Sequence, residues 1–348
     1  SVFGYLIKKS YINHNIDRVL NNNMFFKEIE EKQIYKNDYI ELENVGQGTS
    51  SLVRMIFLIE TQQLYVMKII FNDDLFNREH QNYFKIHHPF LVRYFGFTQK
   101  ESKQCLIMEY IQGNSLDLIK KMNFPINEKI KIIFEIMIAI EYLHSQNLIY
   151  RDLKPNNVII DSNGTVVLID FDRMIENKAN NNDDNATKDF GSIYIAPEII
   201  NGENYSLSAD IYSIGIMIYF ILYEKGPNQN DVCDANFPQQ FLNFKDIFVK
   251  CTKRNPIDRP NISQLINDFY NACFSKIHRE LAEINPIQSI KSKDINKYFK
   301  YMVFVSEFKH FYSLYKLGKF YLKGKYIGKD LNKVIQYFTL SAEKNYIK

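Results

Sequence analysis

The segment from Tyr150 to Asn157 constrains the fold and function of this chain more than any other part of the sequence. It reads Tyr-Arg-Asp-Leu-Lys-Pro-Asn-Asn, and so sets a carboxylate, an ammonium group and amides at fixed spacing around one proline. A pattern with this many specified residue types is too rare by chance to be dismissed as an ordinary charged loop. Any fold assigned to the chain must therefore place this segment in a functional site.

The segment resembles the catalytic loop of eukaryotic-type protein kinases, with Tyr150 where that family has its first His. The resemblance implies that Asp152 accepts or orients the proton of the substrate hydroxyl. It also implies that Lys154 neutralises charge on the transferring phosphoryl group and that Asn157 binds Mg2+. A Lys two residues after the Asp is typical of kinases that modify Ser and Thr.

A second motif, Val167–Asp172, follows a predicted hairpin strand at the distance where the family has Asp-Phe-Gly. The resemblance implies that Asp170 holds the metal ion that bridges the ATP phosphates. Asp172 replaces the Gly, which in the family permits backbone conformations closed to most residues. Asp tolerates such conformations at a cost of roughly 1 kcal/mol. We expect this departure to affect loop switching and the affinity for Mg2+ more than the chemistry.

The segment Val45–Val53 resembles the Gly-rich loop of the family, with Ser51 in place of the third Gly. On its own, a Gly-x-Gly turn between two strands more often forms a plain hairpin. Its context favours a phosphate-binding loop, because Tyr65-Val-Met-Lys68 follows at the distance of the third strand. Glycines there let the backbone approach phosphates and expose its N–H donors.

Two charged residues in the first part of the chain are predicted to form an ion pair. Lys68 lies near the end of a strand candidate, and the resemblance implies that it binds the α- and β-phosphates of ATP. Glu79 lies in a helical segment at the family's distance from Lys68 and from His88-Pro89. A lone helical Glu is ordinarily surface charge, but this spacing predicts that Glu79 holds Lys68 in place.

The segment Met108–Ile111 resembles the hinge that joins the two lobes of the family. The resemblance implies that backbone groups of Glu109 and Ile111 bind adenine and that Met108 is the gatekeeper. Apolar side chains before and after the hinge would sandwich the ring. The predicted nucleotide-contacting residues are Val45, Gly46, Gly48, Val53, Val66, Lys68, Met108, Glu109, Ile111 and Ile159.

Three downstream residues test the resemblance independently of the active site. Glu198 ends an Ala-Pro-Glu motif that closes the activation segment in the family, and Arg259 is expected to pair with it. Asp210 resembles the anchor that holds the catalytic loop from a buried helix. All three stand in the family's order, and the resemblance covers about residues 39 to 274.

The coarse pattern of the chain predicts an α+β, bilobal protein-kinase fold followed by an α-helical repeat segment. Short alternating strands dominate the first part and helices with 3.6-residue spacing dominate the second. Strands are predicted at Ile40–Val45, Leu52–Ile59, Leu64–Ile70, Val158–Ile160 and Val166–Ile169. Helices are predicted at Phe25–Tyr35, Asn77–His87, Glu128–His144, Ala209–Tyr223, Gln239–Cys251 and Ile262–Phe274.

The predicted domains follow from these boundaries. We expect an N-terminal extension at residues 1–38 and a kinase domain at 39–275, with its N-lobe at 39–112 and its C-lobe at 113–275. A linker at 276–300 leads to residues 301–348. The pattern from Leu317-Gly318 to Ala342 resembles a Sel-one-like repeat, a helix pair related to tetratricopeptide repeats. The simpler alternative is an ordinary amphipathic extension. The repeat is predicted to be incomplete and to bind a protein partner.

Composition excludes several classes of function. The net charge of +3 is too small for the basic stripe typical of nucleic-acid binding. No stretch is long and apolar enough to span a bilayer. The four cysteines have neither paired nor metal-ligand spacing, which favours reduced thiols and a cytoplasmic location.

The sequence predicts an ATP- and Mg2+-dependent Ser/Thr kinase that acts on proteins. Two alternatives remain, a nucleotide-binding pseudokinase scaffold and a kinase of small molecules. Arg151 beside Asp152 suggests control by phosphorylation of the activation loop. Thr187 is preferred as the modified residue over Ser192, which is expected to lie near the substrate. Asn156 stands where kinases that favour basic substrates often have Glu, so a strong preference for Arg is not expected.

Overall fold

A six-stranded sheet forms the first lobe of the protein. The computed structural model describes residues 32–48, 51–84, 86–178, 192–227, 237, 241–274, 311–324 and 328–343. The strands of the sheet are β1 (Lys32–Gln33), β2 (Tyr39–Gln47), β3 (Ser51–Leu58), β4 (Gln63–Ile70), β5 (Tyr94–Lys100) and β6 (Lys103–Glu109). Their order across the sheet is β1-β5-β6-β4-β3-β2, and all neighbours are antiparallel except β1 and β5.

The edge strand β1 corrects one prediction. The helix predicted at Phe25–Tyr35 is wrong over its last residues, where β1 pairs in parallel with Gly96 and Phe97; residues 1–31 lie outside the described part of the chain. A Cβ at Gly96 would lie 2.2 Å from the carbonyl oxygen of Lys32, so only Gly permits this approach. A two-residue strand is too short to show alternation, and sequence periodicity could not reveal it.

The helix of the first lobe, α1 (Asp73–Phe84), packs against β4 and β6, and its residues Asn82 and Tyr83 contact the segment after Asp170. It ends three residues before the predicted Asn77–His87 does. It also begins earlier, because the side chain of Asn72 accepts hydrogen bonds from the backbone N–H groups of Asp74 and Leu75. This is the capping arrangement that satisfies the free donors of a helix start. The buried residues of α1 are Phe76, Glu79, Asn82 and Tyr83.

Helices form most of the second lobe. They are α2 (Ile119–Met122), α3 (Ile126–Ser145), α4 (Pro197–Ile200), α5 (Ser208–Tyr223), α6 (Leu242–Cys251) and α7 (Ile262–Phe274). The predicted Ile262–Phe274 is reproduced, and α3 and α5 agree with prediction within two residues. Helix α5 is apolar on every side and almost entirely buried. A helix of this kind belongs in the centre of a lobe.

Short strands at the lobe junction position the catalytic segments. They are β7 (Gly113–Ser115), β8 (Leu148–Ile149), β9 (Val158–Asp161), β10 (Val166–Leu168) and β11 (Ile175–Glu176). The predicted hairpin is present as β9 and β10, and the Asp161 carboxylate accepts the backbone N–H groups of Asn163 and Thr165 in its turn. Asn157 thus immediately precedes one hairpin strand, and Asp170 lies two residues after the other.

A pair of helices lies near the end of the chain. Helix α8 (Phe311–Lys323) packs against α9 (Leu331–Glu343) through Gly318, where a Cβ would lie 2.5 Å from the ring of Phe338. The predicted linker and the first part of the predicted repeat, residues 275–310, lie outside the described residues. Within the described residues, no helix is long and apolar enough to cross a membrane.

The predicted two-lobed α+β architecture is therefore confirmed for the sheet lobe and the helical lobe.

Candidate active site

One face of the sheet carries several of the residues predicted to bind nucleotide. Directly paired residues of an antiparallel sheet share a face. Gly46 pairs with Val53, Val53 pairs with Lys68, and Val66 pairs with Met108. Val66 and Lys68 are two residues apart on β4 and so also share a face. The register thus places all five residues on one face.

Lys68 joins the two lobes. Its Nζ lies 2.8 Å from Oε1 of Glu79 on α1 and 2.7 Å from Oδ1 of Asp170 in the second lobe. The side chains of Lys68 and Glu79 are 8% and 1% exposed, so the expected ion pair is buried. Each residue of such a buried pair needs the other, because removal of one partner leaves an uncompensated buried charge.

Burial and the charge of the ion-pair partners act in opposite directions on the pKa values of Lys68, Glu79 and Asp170. Burial would lower the pKa of Lys68, but the carboxylates of Asp170 and Glu79 outweigh it and raise the pKa. Burial raises the pKa of Glu79 to about 7, against the pull of the Lys68 charge. Burial also acts to raise the pKa of Asp170, yet the Lys68 charge and hydrogen bond hold it below its ordinary value. Lys68 therefore stays protonated, and Asp170 stays ionised.

Asp152 is surrounded by the residues that the catalytic motif predicts. Lys154 Nζ donates to its Oδ1 at 3.0 Å, and Asn157 Nδ2 donates to its Oδ2 at 2.7 Å. Arg173, which sequence reasoning did not single out, lies 3.9 Å from Oδ1. Burial raises the pKa of Asp152 in spite of these cations, which favours a carboxylate able to take up a proton.

Three carboxylates converge beside Lys68. One oxygen from each of Asp152, Asp170 and Asp172 lies within 4.8 Å of the others. Oδ1 of Asp172 is buried and has no hydrogen-bond partner. Burial and the neighbouring Asp170 raise the pKa of Asp172 to about 6. A buried oxygen without a donor, in a cluster of hard oxygen ligands, fits a divalent cation such as Mg2+.

The backbone strain lies at Asp170 and not at Asp172. Asp170 has a φ of 67°, in the left-handed region that disfavours most side chains, whereas the φ of Asp172 is not positive. The conformational cost expected for replacing Gly at position 172 therefore does not arise in this conformation. Strained backbone at a functional residue is typical of active sites.

The catalytic loop is anchored from helix α5. The Asp210 carboxylate, fully buried, accepts the backbone N–H groups of Tyr150 and Arg151 at 2.9 and 2.8 Å. Nε2 of His144 lies 2.9 Å from the same carboxylate. The resemblance predicted this anchor at Asp210. Arg151 has a φ of 68°, so these hydrogen bonds hold a strained residue next to Asp152.

The second predicted anchor is also in place. Arg259 Nη2 donates to Oε2 of Glu198 at 2.8 Å, and the two side chains are almost completely buried. The bidentate geometry, with Nη1 on Oε1 at 2.6 Å, ties the start of α4 to the segment before α7.

Backbone N–H groups of the Gly-rich segment and of the hinge form hydrogen bonds within the protein. The N–H of Gly48 donates to the carbonyl of Ser51 at 2.9 Å; residues 49 and 50 lie outside the described part of the chain. The N–H of Glu109, which is predicted to face adenine, donates to Arg93 O at 2.9 Å. Ile111 is buried at the junction, and Val45 is exposed. Ile159 is partly buried on β9 of the second lobe.

A column of four aromatic rings crosses the lobe junction. Tyr83 of α1 stacks on Tyr94 of β5 at 5.5 Å and meets Phe171 edge-on at 5.3 Å. Phe171 in turn lies 5.7 Å from Tyr150. The Tyr83 hydroxyl donates to the sulfur of Met108 at 2.8 Å. Sequence reasoning missed Tyr83, although it lies one helical turn after Glu79 and so shares its face.

The predicted phosphorylation site falls outside the described residues. These omit residues 179–191, which include Thr187. Ser192 is described and is partly buried. The role of neither residue is tested by the structure.

Comparison with known proteins identifies the class to which this fold and site belong. A family model described as protein kinase domain matches residues 39–307. Ribosomal protein S6 kinase 2 alpha of Xenopus laevis is 32% identical over 248 residues, or 64% of this chain and 34% of that protein. The serine/threonine-protein kinase AtPK1/AtPK6 of Arabidopsis thaliana is 30% identical over 204 residues, or 55% of this chain and 43% of that protein. The cGMP-dependent protein kinase of Toxoplasma gondii is 28% identical over 259 residues, or 71% of this chain and 24% of that protein.

The two-lobed fold, with an acidic cluster and a buried Lys–Glu pair at the junction, is typical of the enzyme class that transfers phosphoryl groups. The chain belongs to the protein kinase family, and one of the relatives that it resembles is named as a serine/threonine-protein kinase. It spans less than half the length of each of the three relatives.

Proposed function

We propose that this chain transfers the γ-phosphate of ATP to Ser and Thr hydroxyls of protein substrates. The observation that carries the proposal is the position of Lys68. It contacts Glu79 and Asp170 together, while Asp170 shares a cluster with Asp152. The phosphate-binding cation, the metal-binding carboxylate and the proton acceptor are thus in reach of one another.

The residues divide the work of phosphoryl transfer between them. Bound Mg2+ supplies charge neutralisation on the phosphates, and Asp170, Asp172 and the side-chain oxygen of Asn157 are the groups that would hold it. Lys68 binds the α- and β-phosphates. The attacking hydroxyl oxygen forms a bond to the γ-phosphorus while the β–γ bridging bond breaks and ADP leaves. Asp152 takes the hydroxyl proton.

Charge and orientation supply most of the rate enhancement in such a reaction. Lys154 lies beside Asp152 and balances the negative charge that spreads over the transferring group. Arg173 is a second cation near the same carboxylate. Val53 and Val66 on the sheet and Ile159 on β9 are the apolar residues that would hold adenine, with Ile111 and the Glu109 carbonyl at its edge.

The proposal is tested by phosphate transfer from Mg-ATP to a generic Ser/Thr protein substrate. We expect transfer by the wild-type chain, loss of at least about a hundredfold in Asp152→Asn, and no loss in Asp117→Asn. Asp117 is an exposed carboxylate and serves as the matched control. Absence of transfer with intact nucleotide binding would contradict the proposal and favour the pseudokinase scaffold, for which Asp172 is the supporting observation.

The tail is proposed as a Sel-one-like repeat that binds a protein partner. The close approach of α8 and α9 at Gly318 supports this, since small residues let paired helices pack closely. Leu331 and Ile335 of α9 are 66% and 65% exposed, as expected when one repeat cannot bury its own face. Binding of a partner by residues 301–348 alone, with kinase activity unchanged on deletion, is the expected result.

The remaining assignments concern substrate choice and location. Asn156 does not supply the carboxylate that would favour Arg in the substrate. Peptide substrates with and without Arg should therefore be phosphorylated equally well. The three described cysteines are free thiols, in agreement with a cytoplasmic location.

Thr187 stays the preferred regulatory residue, and its Ala variant is expected to lose the effect of phosphatase treatment.

A further inference from the structure

A buried amide connects helix α1 to the segment after Asp170. Nδ2 of Asn82 donates to the carbonyl of Phe171 at 2.9 Å and to the carbonyl of Met174 at 2.8 Å. Phe171 and Met174 bound a tight turn, closed by a hydrogen bond from the N–H of Met174 to the carbonyl of Phe171 at 3.2 Å. Asn82 is thus joined to both ends of one turn.

The chemistry of this contact is specific to an amide. Asn82 is 5% exposed, and Phe171 and Met174 are almost completely buried. Both partners are carbonyl oxygens, so the atom that faces them must be a donor with two hydrogens. A carboxylate of the same shape would face the carbonyls with like partial charge, and a Leu would leave them without this donor. The Met174 carbonyl would then lack this donor, whereas the Phe171 carbonyl would keep the N–H of Met174; buried carbonyls are rarely left without a donor.

The turn that Asn82 holds carries two charged residues. Asp172 extends into the acidic cluster with Asp152 and Asp170, and Arg173 lies 3.9 Å from Asp152. Asn82 also follows Glu79 by three residues on α1, so the two side chains lie on the same face of the helix. One helix face therefore holds Lys68 through Glu79 and the turn through Asn82.

We infer that Asn82 is a positioning residue that couples the inward placement of α1 to the placement of Asp170 and the turn behind it. The inference rests on the proposed function. If α1 moves outward, Glu79 leaves Lys68 and Asn82 leaves the turn in the same motion, and the amide and Met174 O lose hydrogen bonds together. The loss of two hydrogen bonds of ordinary net strength shifts the equilibrium between the inward and outward positions of α1 about tenfold or more.

A role confined to stability predicts a different result. If Asn82 only stabilised the fold, its loss would weaken all nucleotide binding and all backbone protection in proportion. A positioning role would instead change the metal-dependent part of nucleotide binding alone, because Asp170 and Asp172 are groups that would hold Mg2+ and neither is a predicted adenine contact. The two roles can therefore be distinguished by measuring ADP affinity with and without Mg2+.

The experiment compares Asn82→Leu with Gln81→Leu, which removes an exposed amide from the neighbouring position of α1. For Asn82→Leu we expect kcat to fall about tenfold. Affinity for metal-free ADP should change less than about twofold, while the gain in ADP affinity on adding Mg2+ shrinks about tenfold. The Met174 amide should exchange hydrogen faster, but the Asp161 amide in the β9–β10 turn should not. Gln81→Leu should match the wild type throughout.

The inference is overturned by either of two results. One is a folded Asn82→Leu protein with unchanged kcat and an unchanged effect of Mg2+ on ADP affinity. The other is equal acceleration of exchange at Met174 and Asp161 with parallel loss of metal-free binding. If Asn82→Leu does not fold, Asn82→Ser, which leaves room for water, is measured against the same two criteria. A wild-type chain without transferase activity refutes the proposed function, whereas the ADP and exchange measurements still decide the role of Asn82.

Discussion

The hydroxyl of Tyr150 donates to the backbone carbonyl of Ile169, the residue immediately before Asp170. Tyr150 is completely buried, and burial raises its pKa, so it stays a neutral donor. The first residue of the catalytic motif and the metal-binding segment are therefore held together by one hydrogen bond. Its strength can be measured by removing a single oxygen atom.

For Tyr150→Phe we expect a loss of about 1 kcal/mol in the free energy of unfolding, because the Ile169 carbonyl loses its donor. The activity should fall about fivefold if the same bond also holds Asp170. Urea unfolding and steady-state kinetics measure the two effects. Tyr35→Phe, at a 63% exposed residue, is the control and should change neither. Unchanged stability in Tyr150→Phe would show that the bond contributes nothing.

Removal of Glu79 should change the metal requirement of the enzyme. Glu79→Gln removes one of the two carboxylates that pair with Lys68 and leaves Asp170 as the other, so the ammonium group competes more strongly with Mg2+ for Asp170. We expect kcat to fall about tenfold or more, with a higher Mg2+ concentration at half-maximal activity. Magnesium titration at saturating ATP measures this. Glu43→Gln, at an exposed position, should behave as wild type. An unchanged titration midpoint would refute the competition.

Asp172→Asn should make the protein more stable and less responsive to metal. The buried oxygen without a partner and the repulsion by Asp170 both disfavour the native carboxylate. Its replacement by an amide should raise the free energy of unfolding by about 1 kcal/mol. The rise in melting temperature on adding Mg2+ should shrink, and Asp246→Asn, at an exposed position, should leave it unchanged. Lower stability with a full response to Mg2+ would contradict both expectations.

Gly318→Ala should loosen the terminal helix pair without affecting the kinase. The added Cβ would lie 2.5 Å from an aromatic carbon of Phe338, so the helices must separate. Overpacking of this kind costs about 1 to 3 kcal/mol. Hydrogen exchange in α8 and α9 should accelerate, whereas Gly328→Ala, with no atom within 4 Å, should have no effect. Equal exchange in both variants would argue against close packing at Gly318.

Acid should destabilise the protein in part through His88. Burial lowers the pKa of His88 below its ordinary value of 6.5, and its ring stacks on Tyr142 at 4.9 Å. The unfolded chain takes up a proton below pH 6.5 that the folded chain does not, so stability falls as the pH decreases through that value. Between pH 7.5 and 5.5 the wild type should lose about 1 kcal/mol more than His88→Gln, measured by urea unfolding. Identical losses would exclude His88 as a contributor.

Motif spacing located the residues that meet at the lobe junction. Lys68, Glu79 and Asp170 were assigned from their positions along the chain, and they are in direct contact. This worked because Lys68 and Glu79 lie within a strand and a helix, and Asp170 lies two residues after a strand, so these elements set the direction of each side chain. The proposed roles of these residues stay predictions until activity is measured.

The contacts that sequence reasoning missed are those between distant segments without a motif. Asn82 and Phe171 are 89 positions apart, and nothing in the local pattern of a polar helical residue indicates such a partner. Arg173 was passed over for the same reason. The backbone of Asp172 was also judged from the family's Gly, whereas the strain in this chain lies two residues earlier at Asp170. Hydrogen bonds between distant segments and φ angles depend on tertiary structure, which residue types alone do not specify.

The buried carboxylate of Asp210 has a consequence for natural variation in this chain. It receives three groups, from Tyr150, Arg151 and His144, and none of the four residues is a predicted nucleotide contact. An inherited change of Asp210 would remove the acceptor of all three groups and so displace Asp152 from a distance. Loss-of-function alleles should therefore cluster in helix α5 and its neighbours as well as around the nucleotide. A genetic screen should identify more functionally important residues than those that contact the nucleotide.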